Sequence, residues 1–271
     1  MSAFSDIANW PADNVAGALI SGGEVIETVG DTAHRFPVAS VTKPVVAYGV
    51  MMAVEEGALD LDQAAGPEGS TLRHLLAHAS GVGFDSRELE KGVEEKRIYS
   101  SAGYEWAAEL VEEATGIEFP EYLRLGIFEP LGMDNTALEE AAGHGLVSTV
   151  DDLVAFALEV MNPRLLAPET VKEMRTVQFP ELRGTVPGYG PFNPCDWGLG
   201  FEIKGKKGAK REHWTGNKLS PETVGHFGMS GTYIWIDGDQ AMVALTDHDF
   251  GDWAKPLWAQ TNDEIWAELN A

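Results

Sequence analysis

In the stretch FPVASVTKPVVAYGV, Ser40 and Lys43 stand three apart, just ahead of an apolar run. A serine hydroxyl is a poor nucleophile until a neighbouring base takes its proton. Residues three apart on a helix share a face, so the Lys43 amine can reach the Ser40 hydroxyl. To serve as the base, that amine must be largely neutral at physiological pH. This asks for a fall of roughly three units from ~10.4, about 4 kcal/mol of differential environment. Serine is also a favoured helix N-cap, so the pair has an ordinary structural reading too. Of the twelve serines in the chain, only Ser40 has a lysine three residues later, which singles it out for this chemistry.

A lysine base needs burial or further polar neighbours, and two segments offer them. RIYSSAGY carries Tyr99 and Ser101 just before a predicted helix. GHFGMSGTYIWID carries His226, Phe227 and Gly228 on what reads as an edge strand, where glycine permits close backbone approach to a ligand. A nucleophile at a helix start, a tyrosine loop and such a strand together describe an acyl-transfer site. Competing chemistries lack their residues. His74 and His78 are one helical turn apart, but Leu-Leu-Ala lies between them without the glutamate of H-E-x-x-H, so packing or capping is expected of both. The chain has no G-x-S-x-G elbow, no P-loop and no G-x-G-x-x-G, and neither a metal nor a cofactor is expected.

The elements that must position these residues follow from period and punctuation. A short helix opens the chain, and VAGALI and EVIETVG read as strands of a hairpin turned at Ser21-Gly22-Gly23. After Ser40 the apolar positions Val45, Val46, Gly49, Val50, Ala53 and Val54 recur at helical spacing, with Pro44 in the tolerant first turn. STLRHLLAHASGVG reads as a helix capped by Ser70 and ended by Gly81. Another is expected over Ala102–Thr115 with Gly116 as its stop. Thr149 with Asp152 starts the next helix, and Pro168 sits at the first position of the one after. Past about residue 195 the period returns to two in WGLGFEI, GTYIWID and QAMVALTD, before a closing helix. VPGYGPFNPCD, residues 186–196, reads as a loop too short to be a linker.

Composition limits what such a scaffold can meet. At 271 residues and 44% hydrophobic content the chain can bury a substantial core. A formal charge of -24 repels nucleic-acid backbones and anionic lipid, so neither is expected as a partner. Cys195 is the only cysteine, which rules out an internal disulfide. The first basic side chain is Arg35, so the opening lacks the features of a secretory signal. The longest apolar run, Val45 to Val54, is about half of a ~20-residue membrane span. A cytoplasmic location is expected.

With these residues in place, the sequence resembles the serine β-lactamase and penicillin-binding protein superfamily, in its class C-like branch. That family carries S-x-x-K, then Y-x-N or Y-x-S, then K-T-G or H-x-G. Here the order reads Ser40-Val41-Thr42-Lys43, Tyr99-Ser100-Ser101 and His226-Phe227-Gly228. The flanks LRHLLAHASGV, FEPLGMDNTAL, STVDDLVAFA and GHFGMSGTYIWID are similar as well, and the likeness extends over about residues 15–265. It implies an α/β (α+β) fold of the β-lactamase/transpeptidase type: an antiparallel sheet built from both termini, flanked by terminal helices, with a mostly helical lobe inserted. A single domain of two lobes is expected, residues 1–50 with 190–271 forming the sheet lobe and 51–189 the helical lobe.

The resemblance also implies roles. Ser40 would form an acyl-enzyme, with Lys43 and Tyr99 sharing proton transfer. The backbone amides of Ser40 and Met229 would form an oxyanion hole. Ser101 would orient the acyl side of the substrate, and His226, with Phe227 and Gly228, its far end. Ser101 stands where many β-lactamases have asparagine, and His226 where a lysine commonly meets the substrate carboxylate. Both changes point away from efficient β-lactam turnover and toward a small ester, amide or peptide substrate. The alternatives are a true β-lactamase or DD-carboxypeptidase, and a non-catalytic binding module of the same fold. From the ordinary histidine pKa of ~6.5, His226 is expected to gain charge near pH 6 and to favour β-lactams there. Oligomeric state has no signal in the sequence.

Overall fold

A computed structural model describes residues 2–209 and 211–271. Among the described residues, eleven strands and eight α-helices arise in the order in which their periods appear in the sequence. The hairpin β1 (Val15–Ser21) and β2 (Glu24–Val29) comes first, after a 3-10 turn at Ser5–Asn9 where a short helix was expected. Then come β3 (Phe36–Pro37), α1 (Thr42–Glu55), α2 (Leu72–Leu76), α3 (Ala102–Thr115), α4 (Phe119–Leu123) and α5 (Glu129–Leu131). Of the short strands β4 (Ala137–Leu138) and β5 (Leu146–Ser148), β5 is central and pairs with β4 on one side and β3 on the other. α6 (Val150–Met161) and α7 (Pro168–Met174) lead to a small hairpin, β6 (Gly184–Val186) with β7 (Gly190–Phe192), inside the segment expected to be loop. β8 (Glu202–Ile203), β9 (Val224–Gly228), β10 (Thr232–Asp237), β11 (Gln240–Thr246) and α8 (Ala254–Leu269) complete the chain.

The main sheet runs β2-β1-β11-β10-β9-β8, and every pairing in it is antiparallel. β1 lies against β11, so the two ends of the chain close one sheet. Alternating side chains divide its faces, as a period of two requires. Ala16, Ala18, Ile20, Ile234, Ile236, Val243 and Leu245 enter the core beneath α1, α3 and α6. Leu19, Tyr233, Trp235, Met242 and Ala244 face the other way, against Trp10, Trp258 and Ile265 from the N-terminal turn and α8. Terminal elements thus cover one face of the sheet, and the inserted helices cover the other. α1 is buried almost all round, the mark of a central helix rather than an amphipathic surface one. No helix among the described residues is long and apolar enough to cross a membrane.

Three further expectations change. α2 begins after Thr71, which caps it together with His74, and not at Ser70; it stops at Leu76, well short of Gly81. The backbone beyond it is claimed elsewhere: Ala77 O accepts from the Arg97 guanidinium, His78 O from Ile98 N–H and Ala79 O from Glu94 N–H. WGLGFEI yields only the two residues of β8, because Gly200 turns at φ +88° against Ala47 of α1, which no extended strand allows. β9 is not strictly an edge, since β8 pairs beyond it, but only at Val224 and Gly225. The His226–Gly228 half stays open on its outer side.

Candidate active site

Ser40 sits in a 3-10 turn, Ala39–Val41, that runs directly into α1. Ala39 before it holds φ +45°, a left-handed conformation that costs a non-glycine residue of order 1–3 kcal/mol. The turn is tied down by Val38 O, which accepts from Val41 N–H and from the Thr232 hydroxyl. β9 presses against it so closely that a Cβ at Gly228 would lie 2.3 Å from Val38 O, which is why glycine stands there. The amides of Ser40 and Met229 therefore come from neighbouring segments, and neither donates to another protein group among the described residues.

Lys43, in the first turn of α1, is wholly buried. Its Nζ lies 3.2 Å from Ser40 Oγ, 3.1 Å from Ser101 Oγ and 2.8 Å from Gly143 O. All three neighbours are neutral. Without a carboxylate in contact, burial dominates and pushes the amine down to about 7, the more distant Glu105 opposing slightly. Such a lysine exchanges a proton readily at neutral pH. The Tyr99 ring lies 4.5 Å from the same Nζ. Burial pushes the Tyr99 phenol well above its ordinary value, a hydrogen bond with Ser40 only partly offsetting it, so the hydroxyl stays protonated.

The remaining expected residues divide. Ser101 ends the loop ahead of α3 with its hydroxyl turned to Lys43; it does not line the cavity. His226 lies in β9, and its Nδ1–H donates to Phe227 O at 2.7 Å, because a carbonyl can only accept. Nε2 therefore carries the lone pair, 3.5 Å from the Tyr99 hydroxyl. Burial first, and the Lys43 charge second, push this imidazole down to about 3. The expected gain of charge near pH 6 is thus corrected: the ordinary histidine value does not survive a 2% exposed ring beside a lysine.

Ser40, Tyr99, His226, Phe227 and Met229 open onto one cavity of about 210 Å³, whose other walls are Phe84, Val186, Pro187, Trp197 and Glu202. The half-exposed side chains of Phe84 and Met229 stand at its mouth. Most of these walls carried no sequence signal, because they come from unrelated loops. Glu202 is the unexpected one, a buried carboxylate held by His213 Nε2 at 2.9 Å, Trp214 Nε1 at 2.8 Å and Lys207 Nζ at 3.3 Å. Burial alone would raise its carboxyl; Lys207 and His213 outweigh that and hold it below the usual range. Gly143, whose carbonyl holds Lys43, was also invisible, since it acts through its backbone.

Comparison with known proteins matches the chain to a family. The sequence profile described as Beta-lactamase matches residues 14–246. Over 138 residues the chain is 28% identical to penicillin-binding protein 4* of Bacillus subtilis (strain 168), a stretch covering 39% of this chain and 31% of that protein. The chain thus spans about a third of that relative's length. A beta-lactamase from Mycobacterium bovis superposes with a TM-score of 0.96 at 46% identity over 100% of both chains. The D-amino acid amidase of Ochrobactrum anthropi superposes with a TM-score of 0.77 at 19% identity, over 99% of this chain and 97% of that one, a likeness of fold alone.

Proposed function

The chain belongs to the beta-lactamase family, and on that premise we propose that it is a serine hydrolase acting on small uncharged esters or amides through an acyl-enzyme on Ser40. The observation that carries this reading is the Lys43 amine, buried against Ser40 Oγ with only neutral partners and pushed down to about 7. In acylation, neutral Lys43 takes the Ser40 proton as Oγ attacks the substrate carbonyl carbon. The Ser40 and Met229 amides receive the developing oxyanion, an interaction whose loss can cost ~3 kcal/mol. The tetrahedral species collapses with departure of the alkoxide or amine, which takes a proton from Tyr99, and Lys43 returns one to the phenol. Water then attacks the acyl-enzyme by the same groups in reverse, releasing the acid and restoring Ser40. With the Tyr99 phenol held protonated, Lys43 is the acylation base, and Tyr99 is the proton donor to the leaving group.

Substrate class follows from the cavity. Its walls are mainly apolar, its volume suits a short acyl group, and the His226 ring offers no positive charge to a carboxylate. A second reading, β-lactam hydrolysis, draws on the name of the 46% identical M. bovis protein. Turnover of p-nitrophenyl butyrate set beside that of nitrocefin at pH 7.5 separates the two, with the ester expected to be the better substrate. Ser40→Ala should reduce ester turnover by on the order of 10⁵-fold and abolish labelling by a fluorophosphonate. If Ser40→Ala retains turnover, the acyl-enzyme on Ser40 is wrong; a wild type with neither turnover nor a fluorophosphonate adduct on Ser40 would make the fold a binding module instead.

A further inference from the structure

His78 is absorbed neither by the fold nor by the chemistry above. It is 1% exposed, and it holds φ +57°, a left-handed conformation uncommon for residues other than glycine, though histidine is among those that take it more often. That conformation accompanies a specific set of contacts. His78 O accepts from Ile98 N–H at 3.0 Å, while its ring Nδ1 accepts from Ser100 N–H at 3.1 Å. Those are the two residues that flank Tyr99. The imidazole itself lies 4.7 Å from the Tyr99 ring, 4.8 Å from Trp197 at right angles, and 5.3 Å from Tyr104. Backbone and side chain of one residue therefore clamp the tyrosine from both sides, and the ring backs it from behind.

The tautomer is fixed by the same contacts. An amide donates to Nδ1, so the ring proton is on Nε2, and Nε2 finds no hydrogen-bond partner among the described residues. A buried donor left unpaired costs about 1–3 kcal/mol. A helix-ending residue with no other duty would not need this imidazole, since asparagine or glycine takes the left-handed conformation more easily. We propose that His78 is the positioning residue for Tyr99, setting the phenol between Ser40 and His226 by fixing the backbone on either side of it. The proposal rests on the role given above to Tyr99 and acts through it; His78 touches no substrate.

The test combines kinetics with a measurement blind to catalysis. On p-nitrophenyl butyrate, His78→Ala should lower kcat by on the order of 10²-fold, as a small misplacement of a reacting group does, with KM changed by less than about threefold. His78→Asn keeps an acceptor oxygen and the left-handed backbone, and it should restore most of the loss. In a Tyr99→Phe background, His78→Ala should cost less than about threefold more. Amide hydrogen exchange should show Ser100 losing protection in His78→Ala and keeping it in His78→Asn. Equal kcat losses for His78→Ala in both backgrounds, or an Asn variant no better than Ala while Ser100 stays protected, would overturn the assignment. If His78→Ala does not fold, the Asn variant decides: kcat and Ser100 protection kept together or lost together support the clamp, and loss of one without the other overturns it. Hydrogen exchange reads the clamp even if Ser40→Ala proves active, so failure of this inference and failure of the acyl-enzyme reading are distinguishable.

Discussion

Lys43 and Lys207 are both buried lysines, and the structure gives them opposite surroundings. Lys43 meets two hydroxyls and a carbonyl, with no carboxylate in contact. Lys207 meets the Glu202 carboxylate at 3.3 Å, and donates besides to Asp196 O and Ile203 O. Burial alone disfavours an ammonium, so the lysine without a counter-charge becomes a base near neutrality. The lysine with one becomes half of an ion pair that holds β8 to the loop after it. Equal burial thus serves proton transfer in one place and structure in the other, and the partner's charge decides which.

The same substitution at both sites tests this contrast, beginning with the larger effect. Lys43→Met should lower ester acylation by ~10²–10⁴-fold, the usual worth of a positioned base. It should not lower stability, because it removes a cation whose burial opposes folding. The sign is definite. The folded amine titrates at about 7 and the unfolded one near 10.5, so the unfolded chain binds the extra proton between those values. The penalty in wild type is full below pH 7 and fades as pH rises toward 10.5. Chemical denaturation of Lys43→Met should therefore show its greatest gain over wild type below pH 7 and none above about pH 10.5. By the same titration, wild-type ester acylation should rise with pH through about 7 and then level. A variant that is less stable than wild type at pH 6 would break the contrast.

At the other lysine the result should reverse. Lys207→Met leaves Glu202 buried without its cation, and breaking such a pair costs about 3–5 kcal/mol. Urea melts at pH 7.5 should show that loss. A melt like wild type would mean that His213 and Trp214 suffice for the carboxylate and that the pair is not structural.

The smallest effect concerns His226, which faces the Lys43 site without charge. His226→Lys should raise nitrocefin acylation relative to the neutral ester by roughly fivefold at pH 7.5, the worth of about 1 kcal/mol of attraction to a carboxylate. Wild type should show no such rise between pH 7.5 and 6, since an imidazole pushed down to about 3 does not titrate there. A nitrocefin-to-ester ratio that climbs as pH falls to 6 would return the charge to His226.

Local order was legible in the residues. Period two marked β1, β2, β10 and β11, and period 3.6 with Gly116, Thr149 and Pro168 placed α3, α6 and α7 at or close to their observed ends. These signals are short-range: a side chain's face and a cap's hydrogen bond depend on residues within a turn or two. Ser40 and Lys43 were legible for the same reason, being one helical turn apart. The ordered motifs then named Tyr99 and His226 before any contact was known. Which groups surround them was not legible. Gly143 enters through a carbonyl 100 residues from Lys43, and Glu202 reaches the cavity wall from β8. His78, read as packing or capping, takes its geometry from contacts with residues 98–100. A pKa depends on desolvation and on charges brought near by the whole fold, so neither the fall of Lys43 to about 7 nor that of His226 to about 3 could be read from residue type. Spacing along the chain chose the reacting atoms, and long-range packing chose their protonation states, because burial is a property of the folded molecule and not of the residue.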